Sequence, residues 1–195
     1  MKEQLSVGAF VLDTRDPADF RDNHHRLAVN VGLDGRFAET TGMIAAYGVP
    51  IILVAEEGRE NEAALRLARI GLDNVIGFTD TATLTAATNT PAVASPTIEV
   101  AEFDRRRVSE TTLAVDVRNA GELAGGMVPG AVHIPLAELP LRLEELDEHL
   151  ELLVYCASGW RSSVATSFLR TVGFTKIQEL QGGFNQWAES NRQPA

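Results

Sequence analysis

The chain has 195 residues, 45% of them hydrophobic and 23% charged, which is ordinary globular composition and enough for two small domains. A formal net charge of −10, shared by both halves, argues against nucleic acid or an anionic membrane as a main partner. The single cysteine excludes an internal disulfide and the multi-thiolate zinc sites, and the lack of an apolar leader or membrane-length apolar run leads to the expectation of a cytoplasmic protein.

In chain order, short apolar runs alternate with helical stretches. Val11-Leu12 ahead of Asp13, Leu27–Leu33, Ile51–Val54 and the segment around Val75 predict strands of a first unit. The adjacent His24 and His25 read as surface residues, because neighbouring side chains diverge on a strand and no carboxylate–histidine spacing of a zinc site accompanies them. Residues 85–97 are small, polar and punctuated by Pro91 and Pro96, and read as an extended linker. Beyond it, Ala114–Val117, Ala131–Ile134, Leu152–Tyr155 and Lys176–Leu180 predict strands, and Leu136–Leu146, Ser162–Val172 and Asn185–Ser190 predict helices. Strands alternating with helices imply an α/β fold with a central parallel sheet flanked by helices. The predicted organisation is therefore a first domain over 1–84, a linker over 85–97 and a second domain over 98–195.

The second half repeats the first at nearly constant spacing. Val11–Arg15 falls on Ala114–Arg118, Leu27–Leu33 on Gly130–Leu136, Ile51–Val54 on Leu152–Tyr155, and Gly71–Val75 on Gly173–Ile177. Asp13 and Asp116 occur in both copies and so read as structural. The cysteine does not recur: Ala55 stands where Cys156 stands, Gly58 answers Gly159, and Glu60 answers Arg161. A carboxylate at Glu57 or Glu60 repels the anion that a thiolate loop would hold, so the first unit is expected to be catalytically silent, with a packing, docking or wall-shaping role.

Cys156 ends an apolar run and precedes Ala157-Ser158-Gly159-Trp160-Arg161-Ser162 and a predicted helix. Backbone amides and a helix N-terminus at that place favour an anion, which predicts a nucleophilic thiol that is partly thiolate at neutral pH. The plain alternative is a small buried hydrophobe. Gly159 permits the turn, Arg161 supplies a fixed cation, and Ser162 can cap the helix. Trp160 is expected to project as a rim contact, Arg161 either pins the loop or orients a donor, and Ser158 either bonds the sulfur or is solvated.

The second unit resembles the rhodanese family of sulfurtransferases over nearly its whole length. The resemblance rests on Asp116-Val117-Arg118 with Glu122, on Gly126 to Pro135 with Met127 where the family usually has histidine, on Cys156 to Ser162, and on Leu180-Gln181-Gly182-Gly183-Phe184-Asn185-Gln186-Trp187. The first unit, with Asp13 to Phe20 and Ile51 to Gly58, resembles an inactive rhodanese domain. Its Asn30 to Glu39 resembles the tandem rhodanese region at the C-terminus of bacterial metallo-β-lactamase-fold persulfide dioxygenase fusions, which implies such a metal domain as a partner.

The resemblance implies covalent catalysis with Cys156 as catalytic residue and Ala157, Ser158, Gly159, Trp160, Arg161 and Ser162 binding substrate, without cofactor or metal. Cys156 attacks the outer sulfur of thiosulfate or a thiol persulfide, and a thiol or cyanide then takes that sulfur. Dual-specificity phosphatases of similar fold use Cys-x5-Arg around a phosphate, whereas Cys156-x4-Arg161 is one residue shorter and suits a single sulfur. With Arg161 as the loop's single cation, a thiol persulfide such as glutathione persulfide is the favoured donor. A phosphatase or arsenate reductase is a competing enzyme class. A non-catalytic sulfur carrier or docking module of a sulfide-oxidising complex is a competing function.

Overall fold

The computed structural model describes residue 5 and residues 8–191, so residues 1–4, 6 and 7 of the predicted first domain and the last four of the predicted second lie outside it. The chain divides into two compact units, the first ending at Ser95 and the second beginning at Pro96.

The first unit contains β1 (Phe10–Asp13), α1 (Pro17–Asp22), β2 (His24–His25), β3 (Ala28–Asn30), α2 (Phe37–Ile44), β4 (Ile51–Val54), α3 (Glu60–Ala68), β5 (Val75–Thr79), α4 (Thr81–Thr88) and β6 (Ala92–Val93). Its main sheet runs β3-β1-β4-β5 with every pair parallel. All four residues of β4 are buried, as a strand covered on both faces requires.

The second unit contains β7 (Thr97–Ile98), α5 (Val100–Arg106), β8 (Thr112–Asp116), β9 (Val132–His133), β10 (Glu151–Tyr155), α6 (Trp160–Thr171), β11 (Ile177–Leu180) and α7 (Gly183–Ser190). Its sheet runs β7-β11-β10-β8-β9, again parallel throughout. The central strand β10 carries Leu152 to Tyr155 fully buried, with Phe103, Val128, Leu180 and Phe184 in the cluster around Tyr155. Helix α6 is buried from Ser162 to Leu169 despite its many hydroxyls. Ser167 and Thr166 donate back to the Ser163 carbonyl, so these side chains enter the core already paired.

Three expectations are corrected. Residues 85–97 are not a free linker. They finish α4, whose start is capped by Asp80 accepting the Thr83 N–H at 2.8 Å, then pair as β6 with β2 and as β7 with β11. His24 and His25 are buried rather than at the surface. His24 stacks on Phe20 with ring centroids 3.8 Å apart, and His25 Nε2 lies 2.9 Å from Thr88 Oγ1, so each ring is taken up by a neighbouring helix of the first unit. The predicted helix over Leu136–Leu146 is two 3₁₀ turns, Leu139–Leu141 and Leu143–Glu145, because Pro140 has no N–H to give and its ring blocks a continuous α-helix. The predicted strand and helix positions otherwise agree to within a few residues.

Candidate active site

Parallel α/β sheets place their chemistry just past the carboxyl ends of the strands. Cys156 occupies that place on β10, the central strand, and is 1% exposed. The chain then turns through Ala157, Ser158 and Gly159 into α6. Gly159 N–H donates to Cys156 Sγ at 3.2 Å, and its φ of +113°, a conformation that side chains rarely adopt, then turns the chain into α6. Ser163 makes the first intrahelical bond, to the Gly159 carbonyl, so the amides of Trp160, Arg161 and Ser162 lie ahead of the helix ladder. Together these amides and the positive end of the helix form a place for negative charge next to the sulfur.

The loop is held from two sides. The Gly183 N-terminal turn of α7 lies against it: Phe184 N–H donates to the Cys156 carbonyl at 2.7 Å and Asn185 N–H to the Ala157 carbonyl at 3.1 Å. A side chain at Gly183 would put its Cβ 2.5 Å from the Cys156 carbonyl oxygen. On the other side Arg161 forms a two-pronged pair with Glu122, Nη2 to Oε1 at 2.7 Å and Nη1 to Oε2. Glu122 belongs to the 3₁₀ turn Ala120–Gly125 and also accepts the Asn119 N–H. The Arg161 guanidinium, foremost, pulls the Glu122 carboxyl down to about 2. Glu122 in turn holds Arg161 firmly charged, and Cys156 adds to that hold.

Of the predicted site residues, Cys156, Gly159 and Ser162 meet directly: Ser162 Oγ is 3.4 Å from Sγ. Arg161 pins the loop through Glu122 and interacts electrostatically with Cys156. Ala157 acts through its carbonyl. Ser158 is exposed and Trp160 half-buried. Asp116 is fully buried and engages Arg118 through Nε and Nη2, and Asp13 does the same with Arg15, so both are structural as read. The sequence reading did not assign roles to Glu122, Gly183, Tyr155 or Glu179. Tyr155 Oη accepts the Val128 N–H at 3.2 Å under the loop. Glu179 is 5% exposed and receives the Ser162 hydroxyl at 2.8 Å. The burial of Glu179 in β11, beside Gln178, follows from the fold and carries no clear mark in the sequence.

A family model of the rhodanese-like domain matches residues 99–190. A sulfurtransferase of Allochromatium vinosum is 36% identical over 80 residues, covering 41% of this chain and 75% of that protein. The human thiosulfate:glutathione sulfurtransferase is 31% identical over 111 residues, covering 49% of this chain and 95% of that protein. The chain belongs to the rhodanese family of sulfurtransferases, and the family match lies within its second unit.

Proposed function

We propose that this protein carries a sulfane sulfur on Cys156, taking it from a thiol persulfide or thiosulfate and passing it to a thiol or cyanide. The observation that carries the reading is the buried sulfur facing the Gly159 N–H at the start of α6. The Cys156 thiolate attacks the outer sulfur of the donor, a new S–S bond forms, and the donor's own bond to that sulfur breaks with the electron pair leaving on the donor fragment. The terminal sulfur of the persulfide is anionic, and the same amides and helix end that favour a thiolate favour it. An acceptor thiolate then attacks the terminal sulfur and Cys156 departs as thiolate, which gives ping-pong kinetics.

The favoured donor is a thiol persulfide such as glutathione persulfide. Arg161, the loop's cation, is already matched by Glu122, which leaves little positive charge to concentrate a small dianion such as thiosulfate. Steady-state turnover with a soluble thiol acceptor tests both parts. A larger kcat/KM for glutathione persulfide than for thiosulfate is expected; the reverse order would overturn the donor assignment, and loading without turnover would make the protein a carrier.

The first unit is read as a second rhodanese-like copy, which makes the chain a tandem protein. Its sheet order β3-β1-β4-β5 runs like β9-β8-β10-β11, and the hollow beside its counterpart loop is lined by Ala55, Glu57, Glu60, Phe78 and Asp80. Without a thiol and with carboxylates in place of a cation, that copy has no sulfur chemistry. The domain proposal accordingly keeps catalysis within 98–195, with a persulfide-handling metal domain as a partner and the cytoplasm as location. Among the described residues no helix is long and apolar enough to cross a membrane.

A further inference from the structure

Behind the sulfur lies a buried polar chain that the transfer steps above do not use. Ser162 Oγ has three neighbours: Glu179 Oε1 at 2.8 Å, the Gly159 carbonyl at 3.1 Å and Cys156 Sγ at 3.4 Å. A serine hydroxyl has one proton to give and two lone pairs to offer. A carboxylate is the strongest acceptor of the three and holds the shortest contact, so the proton goes to Glu179 and a lone pair is left for the sulfur. In the thiol state the Cys156 S–H therefore donates to Ser162, and Ser162 donates to Glu179. Ser162 is fully buried and Glu179 nearly so, which keeps the chain out of competition with water.

We propose that Glu179 is the proton acceptor for Cys156, reached through Ser162. This rests on Cys156 being the sulfur-transfer nucleophile. The S–H bond breaks with its electron pair staying on sulfur, and the released proton binds Ser162 Oγ as the serine's own proton passes to Glu179 Oε1. The products are a thiolate, an unchanged serine and a neutral carboxylic acid, so the total charge is conserved. Both hydrogen bonds reverse direction: Glu179 now donates to Ser162, and Ser162 donates to the thiolate. A neutral acid also removes the repulsion that a carboxylate would exert on a thiolate across one serine.

Two cations bear on this relay. Arg170, on the same helix as Ser162, interacts with Glu179 and favours its carboxylate, while Arg161, itself paired with Glu122, favours the thiolate. The first unit supports a linked role for the three residues. At the corresponding positions it has Ala55 for Cys156, Asn61 for Ser162 and, at the matching rung of the ladder, Phe78 for Glu179, so all three parts of the relay are absent together.

Glu179 is a positioning residue by this account, and its test must read protons rather than activity. The probe is the ultraviolet absorbance of the Cys156 thiolate as a function of pH, with the Cys156→Ser spectrum subtracted. A thiol and a carboxyl that share a proton titrate as a pair. The intact protein is expected to gain part of the thiolate signal in a first step, hold it over a shelf, and gain the rest in a second step. Glu122, held down to about 2, titrates below that window. Glu179→Gln, which still accepts the serine hydroxyl and cannot take a proton, is expected to lose the shelf and titrate in one step. Ser162→Ala is a second variant that loses the hydroxyl donor to the thiolate and is expected to shrink the shelf. A one-step titration in the intact protein, or the same two steps in both variants, would overturn the proposal. No sulfur donor is present, so failure to transfer sulfur and failure of the relay are separate results.

Discussion

At the residue scale, the Cys156 loop is held by groups that lie close to it in the fold and far from it in sequence. Cys156 is the sole thiol, and Gly159 and Arg161 stand beside it in sequence, so the loop announces itself. Glu122 and Glu179 reach the site from 34 residues upstream of Cys156 (156 − 122) and 23 downstream (179 − 156), and only the folded sheet brings their carboxylates to Arg161 and Ser162. Glu122 leaves a pH signature. Its folded value of about 2 is depressed from 4.5, so the stability contributed by its pair with Arg161 is present above pH 4.5 and is lost as pH falls toward 2. In Glu122→Gln the fall in stability across that window is expected to be shallower than in the parent, as read from denaturant unfolding at successive pH values. Identical pH slopes would show that the pair contributes nothing to folding. Because Glu122 is partly solvated, the difference is expected at the small end of ion-pair effects.

At the element scale, strands were read well and connections less well. The run Leu152 to Tyr155 is buried on both faces and is apolar in every position, so composition alone marks it. The stretch Leu136–Leu146 has helical spacing of leucines, but Pro140 in its middle limits it to 3₁₀ turns. Residues 85–97 read as a linker because they are small, polar and punctuated by Pro91 and Pro96, yet the Asp80 cap and the pairing of β6 with His24 and His25 give them structure. The Gly182-Gly183 turn belongs with the elements, because it is where α7 meets the active loop. Gly183 has φ +62° and its Cβ position falls 2.8 Å from the Ala157 carbonyl carbon and oxygen as well as close to Cys156. Gly183→Ala is expected to cost about 1–3 kcal/mol, the usual cost of overpacking, seen as a lower melting temperature, and to slow sulfur loading because the loop carbonyls must move. A variant with parental melting temperature and loading rate would remove α7 as a support of the site.

At the scale of the whole molecule, two units with similar sheets differ in what their loops can hold. The second places Cys156, Arg161, Ser162 and Glu179 at one strand end, and the first places Ala55, Glu60, Asn61 and Phe78 at the matching positions. Four segments align between the halves in sequence, whereas the match of Glu179 with Phe78 comes from the ladder register. Because the chain has a single cysteine, any sulfur it gains covalently has one thiol to occupy, which makes the central claim open to direct weighing. The measurement is the intact mass of the protein before and after glutathione persulfide, beside Cys156→Ser treated identically. A cyanide-labile gain of about 32 Da, one sulfur atom, is expected in the parent and none in the variant. An unchanged parent mass, or an equal gain in Cys156→Ser, would contradict the assignment of Cys156 as the sulfur carrier.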